Sequence, residues 1–238
     1  MKRVYTYQPG RFGDIFYTIP IARRLKEKGY DVSFMIREKY KSLIPHFPDI
    51  NFVECNNEKP VPTENCIFLS LWYGIGWKKS KGVYNRSDLM TCKYEMYNEC
   101  FKDNVDPNTY WHSLTFKRFP KKEKQLMEKL GIKTGEKYVF INELYSGGKT
   151  EISVNTDLKK IYMKLIDGFT ILDWCSILEN AEEIHCVDTS ILYIIDRIKT
   201  TNKLHRYRRH KEDVELRHLL SKDYIKHDVN GNVEDYKK

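Results

Sequence analysis

Three short stretches carry residue types that can bind phosphate or move a proton. Gln8-Pro9-Gly10-Arg11-Phe12-Gly13-Asp14 joins a β-branched and aromatic run to an apolar stripe at helical spacing. Gly10 and Gly13 allow tight turning and close backbone approach, and Asp14 falls where a helix begins. A carboxylate there accepts amide hydrogen bonds as an N-cap, worth about 1 kcal/mol, or takes a proton from a substrate hydroxyl at the mouth of a cleft. The cap is the commoner role. Ser146-Gly147-Gly148-Lys149-Thr150 sets a flexible glycine pair beside an ammonium that acts as a point charge on phosphate; its plain alternative is a surface turn. Asp188-Thr189-Ser190 precedes a second apolar helix. Two hydroxyls and free amides at a helix start can hold a diphosphate, although an ordinary N-cap uses the same residues.

Strands and helices must hold these stretches in position. Residues 3–7 read as a strand. Ile15, Phe16, Ile19, Ala22 and Leu25 form a helical stripe that ends in Lys26, Lys28 and Gly29, a basic-then-glycine stop. Strands at 31–36 and 51–54 flank a short helix at 38–44. Residues 56–63 are polar, 66–71 return to strand, 72–79 form an aromatic and glycine-rich loop, and 87–101 are helical. A basic run at 117–124 leads into a helix ending at Gly131. A second α/β pattern follows, with strands at 138–142, 183–187 and 203–207 and helices at 172–178, 191–198 and 213–224. Alternating strand and helix implies parallel strands joined by right-handed crossovers. The fold class expected is therefore α/β, with two small units meeting near residues 120–135.

Composition removes several classes of function. The 238 residues include 41 Lys and Arg against 33 Asp and Glu, for a formal charge of +8, with 41% hydrophobic and 31% charged residues. That is enough apolar material for packed cores and unlike a disordered chain. The longest nearly apolar run, 67–77, is about half a membrane span, and Met1-Lys2-Arg3 has no apolar block behind it, so a cytoplasmic protein is expected. Six cysteines lack a C-x-x-C pair, so spacing supplies no zinc site. Neither G-x-G-x-x-G nor G-x-x-x-x-G-K-[ST] occurs, which leaves dinucleotide and P-loop sites unsupported. The excess charge fits nucleic acid, an anionic membrane or a phosphorylated small molecule. Its densest stretch is Lys203, His205, Arg206, Arg208, Arg209, His210 and Lys211. That stretch is a solvated face, a salt-sensitive nucleic-acid patch or a diphosphate clamp. Trp72, Tyr73, Trp77 and Trp111 can stack on sugar rings or fill a core.

Arg11-Phe12-Gly13-Asp14, Tyr17-Thr18-Ile19-Pro20, and Phe47-Pro48-Asp49-Ile50 before Val53 give residues 3–54 an opening that resembles the heptosyltransferase-type glycosyltransferases. The resemblance implies a GT-B architecture, two Rossmann-like domains facing across a cleft, here in compact form. It implies an acceptor domain over 1–125 and a nucleotide-sugar donor domain over 126–238. The Gly-Asp aspartate of that family is its proposed catalytic base, which makes Asp14 the expected base. The family's donor motif is Asp-Thr-Gly with a His three residues beyond; this chain has Asp188 and Thr189 but Ser190 and Tyr193. A phosphate-contacting Lys also belongs to the region of Lys149.

The expected activity is transfer of a sugar from a nucleotide-diphosphate sugar to a glycan or glycoconjugate hydroxyl, inverting and without a cofactor. No Asp-x-Asp occurs to bridge a diphosphate through a metal, so no metal is expected. Gly13, Ser146, Gly147, Gly148, Lys149, Asp188, Thr189, Ser190, Arg206, Arg208 and Arg209 would surround the donor, and Arg11, Trp72, Tyr73 and Trp77 the acceptor. The alternatives are a nucleotide-sugar 2-epimerase, a non-catalytic sugar-binding relative, and a nucleic-acid-binding protein that uses residues 203–211.

Overall fold

The structure, a computed structural model, describes residues 1–55, 66–83, 90–200, 202–209, 219–228 and 230–232. The polar stretch at 56–63, the start of the helix expected from residue 87, His210, Lys211 and most of the helix expected at 213–224 lie outside those residues. The described chain falls into two compact units. The first comprises residues 1–117 with Leu219, the second the remainder from Arg118; the sequence reading divides the chain after residue 125.

The first unit is built on a parallel sheet of order β3-β2-β1-β4, with β1 at Arg3–Tyr7, β2 at Asp31–Ile36, β3 at Asn51–Glu54 and β4 at Cys66–Leu69. Helix α1 (Phe12–Glu27) buries Ile15, Phe16, Ile19, Ala22 and Leu25. It stops as its sequence demands: Gly29 takes φ +84° and donates its amide to the Lys26 carbonyl at 2.9 Å. Its start differs from the expectation. Arg11 occupies the cap position with no side-chain hydrogen bond, and Asp14 lies inside the first turn. Asp14 is therefore not the N-cap.

The stretch at 72–79, expected as a loop, is a 3₁₀ turn at Leu71–Tyr73 running into helix α2 (Gly74–Ser80). Two glycines argue locally against helix, but Gly74 meets helix α3 (Cys92–Phe101) closely. A Cβ there would come within 3.3 Å of Cys92 Sγ and the Lys93 amide nitrogen. Packing against α3 outweighs local propensity.

Asp103, next to the end of α3, is a charge centre of this unit. Its side chain is 6% exposed and accepts from Arg24 Nε at 3.0 Å and Tyr97 Oη at 2.6 Å, with Lys28 Nζ at 2.9 Å. The hydrogen bond from Arg24, then those from Tyr97 and Lys28, hold the carboxyl well below the ordinary range against the opposing effect of burial. A depressed carboxylate contributes stability above its unfolded value, about 3.9, and loses it as pH falls through the folded value. Denaturant midpoints should therefore drop as pH falls below about 5, and Asp103→Asn should flatten that dependence relative to wild type. An unchanged slope would show that other carboxylates carry the acid sensitivity.

The second unit begins with α4 (Pro120–Lys129), which has proline in its first turn and Gly131 at φ +65° beyond its end. Its parallel sheet has the order β11-β10-β9-β5-β8. These strands are β5 at Tyr138–Asn142, β8 at Lys159–Tyr162, β9 at Glu183–Val187, β10 at Lys203–Tyr207 and β11 at Ile225–His227. A 3₁₀ turn at Ile171–Trp174 leads into α5 (Cys175–Asn180), and α6 spans Ile191–Arg197. Residues 146–150, expected as a loop, form a hairpin of β6 (Leu144–Tyr145) and β7 (Gly148–Lys149). Residues 220–224 are not helical. One sheet face carries Tyr138, whose hydroxyl donates to the Ile177 carbonyl, and Phe140, which meets Trp174 edge-on. The other carries Val139, Ile141, Val187 and Tyr207, packed with Ile152. Among the described residues no helix is long and apolar enough to cross a membrane.

Candidate functional site

In an open parallel sheet, ligands bind at the carboxyl ends of strands where the strand order reverses direction. In the first unit that point lies between β1 and β4, because the chain goes from β1 to β2 and β3 on one side and then to β4 on the other. The loop after β1 and the turn after β4 meet there. Gln8 is fully buried, donates its amide to the Met35 carbonyl strand-fashion and its side-chain NH₂ to the Gly10 carbonyl. A Cβ on Gly10 would stand 2.9 Å from the Tyr40 ring, so the Tyr40 side chain would have to shift to admit one. Together these contacts fix the approach of the chain to Asp14.

Asp14 is 20% exposed, and its Oδ1 lies 3.1 Å from Nζ of Lys93, a lysine whose side chain is only 3% exposed. Lys93 was not singled out in the sequence; nothing local distinguishes it from other surface-type lysines in an amphipathic helix. The ammonium holds the carboxylate in orientation and leaves part of it open to solvent. Gly13 is partly buried and Arg11 exposed in the same turn. After β4, Tyr73 is exposed and stacks on Tyr7 with ring centroids 6.4 Å apart. Trp72 packs against the Tyr7–Met35–Cys55 cluster. Trp77, in α2, carries the Lys81 ammonium 4.5 Å over its ring. Trp111 is fully buried and donates its indole N–H to the Leu219 carbonyl at 2.8 Å, so it is a core residue and not a sugar platform.

In the second unit the strand order reverses between β5 and β9, and the residues that follow these strands touch. Asn142 Nδ2 donates to Thr189 Oγ1 at 3.3 Å, and the same hydroxyl accepts the Ile191 amide at 3.2 Å. Ser190 sits at the helix cap position without a side-chain cap bond. Asp188 is 2% exposed and receives both Nε and Nη2 of Arg206, the latter at 2.7 Å; the Arg206 side chain is 6% exposed. Both residues are thus occupied with each other. Ser146, Gly147 and Gly148 are exposed at the tip of the hairpin, with the Tyr145 ring beside both glycines. The guanidinium of Arg209 lies 5.6 Å over that ring, which brings Arg209 to the hairpin. Arg208 is half-buried and donates its amide to the His227 carbonyl. Lys149 pairs with Glu143 at 3.0 Å, a contact that raises its pKa and keeps it charged. Glu143, Lys149, Glu151 and Tyr162 help line a groove of about 730 Å³ at the carboxyl ends of β5 and β8. Its two carboxylates suit sugar hydroxyls better than a second phosphate.

The described part of the basic stretch, residues 203–209, does not form one basic face. Strand alternation sends Lys203, His205 and Tyr207 to one side of the sheet and Arg206 to the other, where Asp188 neutralises it. His205 instead joins Glu183 and His185, whose potential ligand atoms all lie within 4.8 Å of one another. Burial, then the neighbouring His185 and His227 rings, push His205 down to about 4, and burial lowers His185 as well. The cluster escapes a search for closely spaced ligands because it forms between strands. The pattern Glu183-x-His185 on one strand and His205-x-Tyr207 on another was its only sequence trace.

No protein-family profile matches the sequence, and no curated protein matches it. Among solved structures, a glycosyl transferase family 9 protein from Veillonella parvula aligns over 99% of this chain and 88% of its own, at TM-score 0.60 and 10% identity. The iron-containing dodecameric glycosyltransferase TibC from enterotoxigenic E. coli aligns at TM-score 0.49 and 11% identity, with this chain spanning 57% of it. The ADP-heptose LPS heptosyltransferase II of E. coli aligns at TM-score 0.43 and 9% identity. The fold is thus shared with a glycosyl transferase family 9 structure over 99% of this chain.

Proposed function

We propose that this protein is a GT-B glycosyltransferase that moves a sugar from a nucleotide-diphosphate sugar to a hydroxyl of a glycan or glycoconjugate acceptor, in the cytoplasm. The observation that carries the reading is Asp14, a partly open carboxylate at the carboxyl end of β1 beside the strand-order reversal, braced by the buried Lys93. A fold shared with a glycosyl transferase family 9 structure supports it. Asp14 takes the proton of the acceptor hydroxyl as that oxygen attacks the anomeric carbon from the face opposite the diphosphate. The bond from that carbon to the diphosphate oxygen breaks, the nucleotide leaves with its electron pair, and the configuration inverts. Preorganised positive charge and donors offset the developing negative charge. Lys149, Arg208, Arg209, the hydroxyls of Thr189 and Ser190 and the amides of the Ser146-Gly147-Gly148 tip supply them. Asp188 and Arg206 hold the segment that carries Thr189. Arg11, Trp72, Tyr73 and Trp77 contact the acceptor sugar.

No Asp-x-Asp pair is available to bridge the diphosphate through a cation. Turnover of a nucleotide sugar, found by thermal-shift screening of a donor panel and then assayed with glycan acceptors, should survive excess EDTA well below the melting temperature. Loss of turnover restored by manganese would overturn metal independence. Failure of every nucleotide sugar and nucleoside diphosphate to shift the melt would overturn the glycosyltransferase reading. Conversion of the donor into its C2 epimer with no acceptor present would favour a 2-epimerase.

A further inference from the structure

We propose that Glu183, His185 and His205 form a binding site for one divalent first-row transition-metal ion, separate from the sugar-transfer site. His185 and His205 are lateral partners on the adjacent parallel strands β9 and β10, and Glu183 lies two residues before His185 on the same face. Glu183 Oε2 is 3.1 Å from His185 Nε2 and 3.5 Å from His205 Nε2. Ligand atoms around a tetrahedral ion bound at about 2.0–2.1 Å stand about 3.4 Å apart, and these two separations bracket that value. The histidine rings are stacked, with centroids 4.2 Å apart and 12° between planes, and both Nε2 atoms lie within 3.5 Å of the same carboxylate oxygen.

The hydrogen-bond chain behind the cluster sets its tautomers. The Gly231 carbonyl can only accept, so His227 Nδ1, 3.0 Å away, carries a hydrogen. In the tautomer with hydrogen on Nδ1 alone, His227 offers a lone pair at Nε2, and His205 Nδ1, at 2.9 Å, donates to it. Neutral His205 is left with a bare lone pair at Nε2. That atom is buried without a hydrogen-bond partner, and it points at a carboxylate oxygen that is itself an acceptor. Two acceptors facing each other in a buried setting are unfavourable, and a cation between them resolves the conflict. The other nitrogen of each ligand histidine is held: His185 Nδ1 lies 2.9 Å from Tyr207 Oη, and His205 Nδ1 meets His227. Such outer contacts orient metal-binding imidazoles. Lys203 Nζ, 3.7 Å from Glu183 Oε1, faces the carboxylate oxygen that the ion would not use. Two imidazoles and one carboxylate select zinc, iron, cobalt or nickel over magnesium and calcium, and three protein ligands leave a position for water. Glu183, one-third exposed, provides the entry. Arg206 and Asp188 belong to the opposite face, so the ion braces the two strands β9 and β10 without touching the diphosphate.

Equilibrium dialysis and visible spectroscopy of the intact chain with Co²⁺ test this directly. The expected result is one Co²⁺ per chain, displaced by Zn²⁺, with ligand-field bands and no thiolate charge-transfer band. Affinity should fall at least about tenfold in Glu183→Gln and in His205→Gln, and about tenfold in Tyr207→Phe, which frees His185 Nδ1. Because Glu183 is at the surface, Glu183→Gln decides the matter if His205→Gln does not fold. Absence of saturable Co²⁺ or Zn²⁺ binding up to about 1 mM would overturn the site. So would a thiolate band, or unchanged affinity in Glu183→Gln. Each of these readouts is independent of sugar transfer.

Discussion

Asp14→Asn should lower turnover by about 10²–10⁴-fold, the range lost with a positioned general base, while donor affinity stays within severalfold. The amide matches the carboxylate in shape and still offers Lys93 an oxygen, but it cannot take the acceptor proton. The substitution also removes the counter-charge of a buried ammonium. Breaking a fully buried pair costs about 3–5 kcal/mol; with Asp14 one-fifth exposed and its amide still accepting a hydrogen bond, about 1–3 kcal/mol is expected. Activity must therefore be read well below the melting transition. Lys93→Met is the matched control, since it breaks the same pair and keeps the carboxylate. Turnover in Lys93→Met should exceed that of Asp14→Asn by at least tenfold. Equal losses in the two variants would mean that Asp14 serves the pair and the fold, with the acceptor proton going elsewhere.

Asp14 was legible because a short motif and a strand-to-helix junction coincide there. Lys93 was not, because its role comes from α3 packing on α1, a contact between residues far apart in sequence. The same division runs through the fold. Central strands such as β1, β2, β5 and β9 announce themselves by apolar runs, since both faces of a parallel sheet are covered. The parallel strands of the second sheet that escaped reading, β8 and β11, are its two edges. Lys159-Lys160-Ile161-Tyr162 and Ile225-Lys226-His227 are short and charged, as edges that must resist further pairing tend to be. Their sequences therefore resemble loops. Residues 203–207 look like part of a basic patch only when alternation is ignored; once β10 forms, neighbouring charges part to opposite faces. Composition located the positive charge, while strand geometry decided how much of it is free.

The Asp188–Arg206 pair yields the largest expected stability effect. Two side chains 2% and 6% exposed, joined through two hydrogen bonds, make removal of one partner far costlier than removal of both. Asp188→Leu or Arg206→Leu alone leaves a buried charge uncompensated, at about 3–5 kcal/mol. That is a large fraction of a domain's total stability of about 5–15 kcal/mol, and the transition of the second unit should fall by about 10 °C or more. The double variant Asp188→Leu/Arg206→Leu buries no charge and should recover most of the loss. Calorimetric titration of that double variant with nucleoside diphosphate then separates two roles that a single substitution confounds. If the pair only fixes the segment carrying Thr189, the refolded double variant binds within severalfold of wild type. If Arg206 itself grips the diphosphate, the double variant melts normally and binding is lost. Depth of burial favours the first outcome, because a buried guanidinium already bound along its Nε–Nη2 edge to a carboxylate would have to surrender that partner and its burial to reach a phosphate.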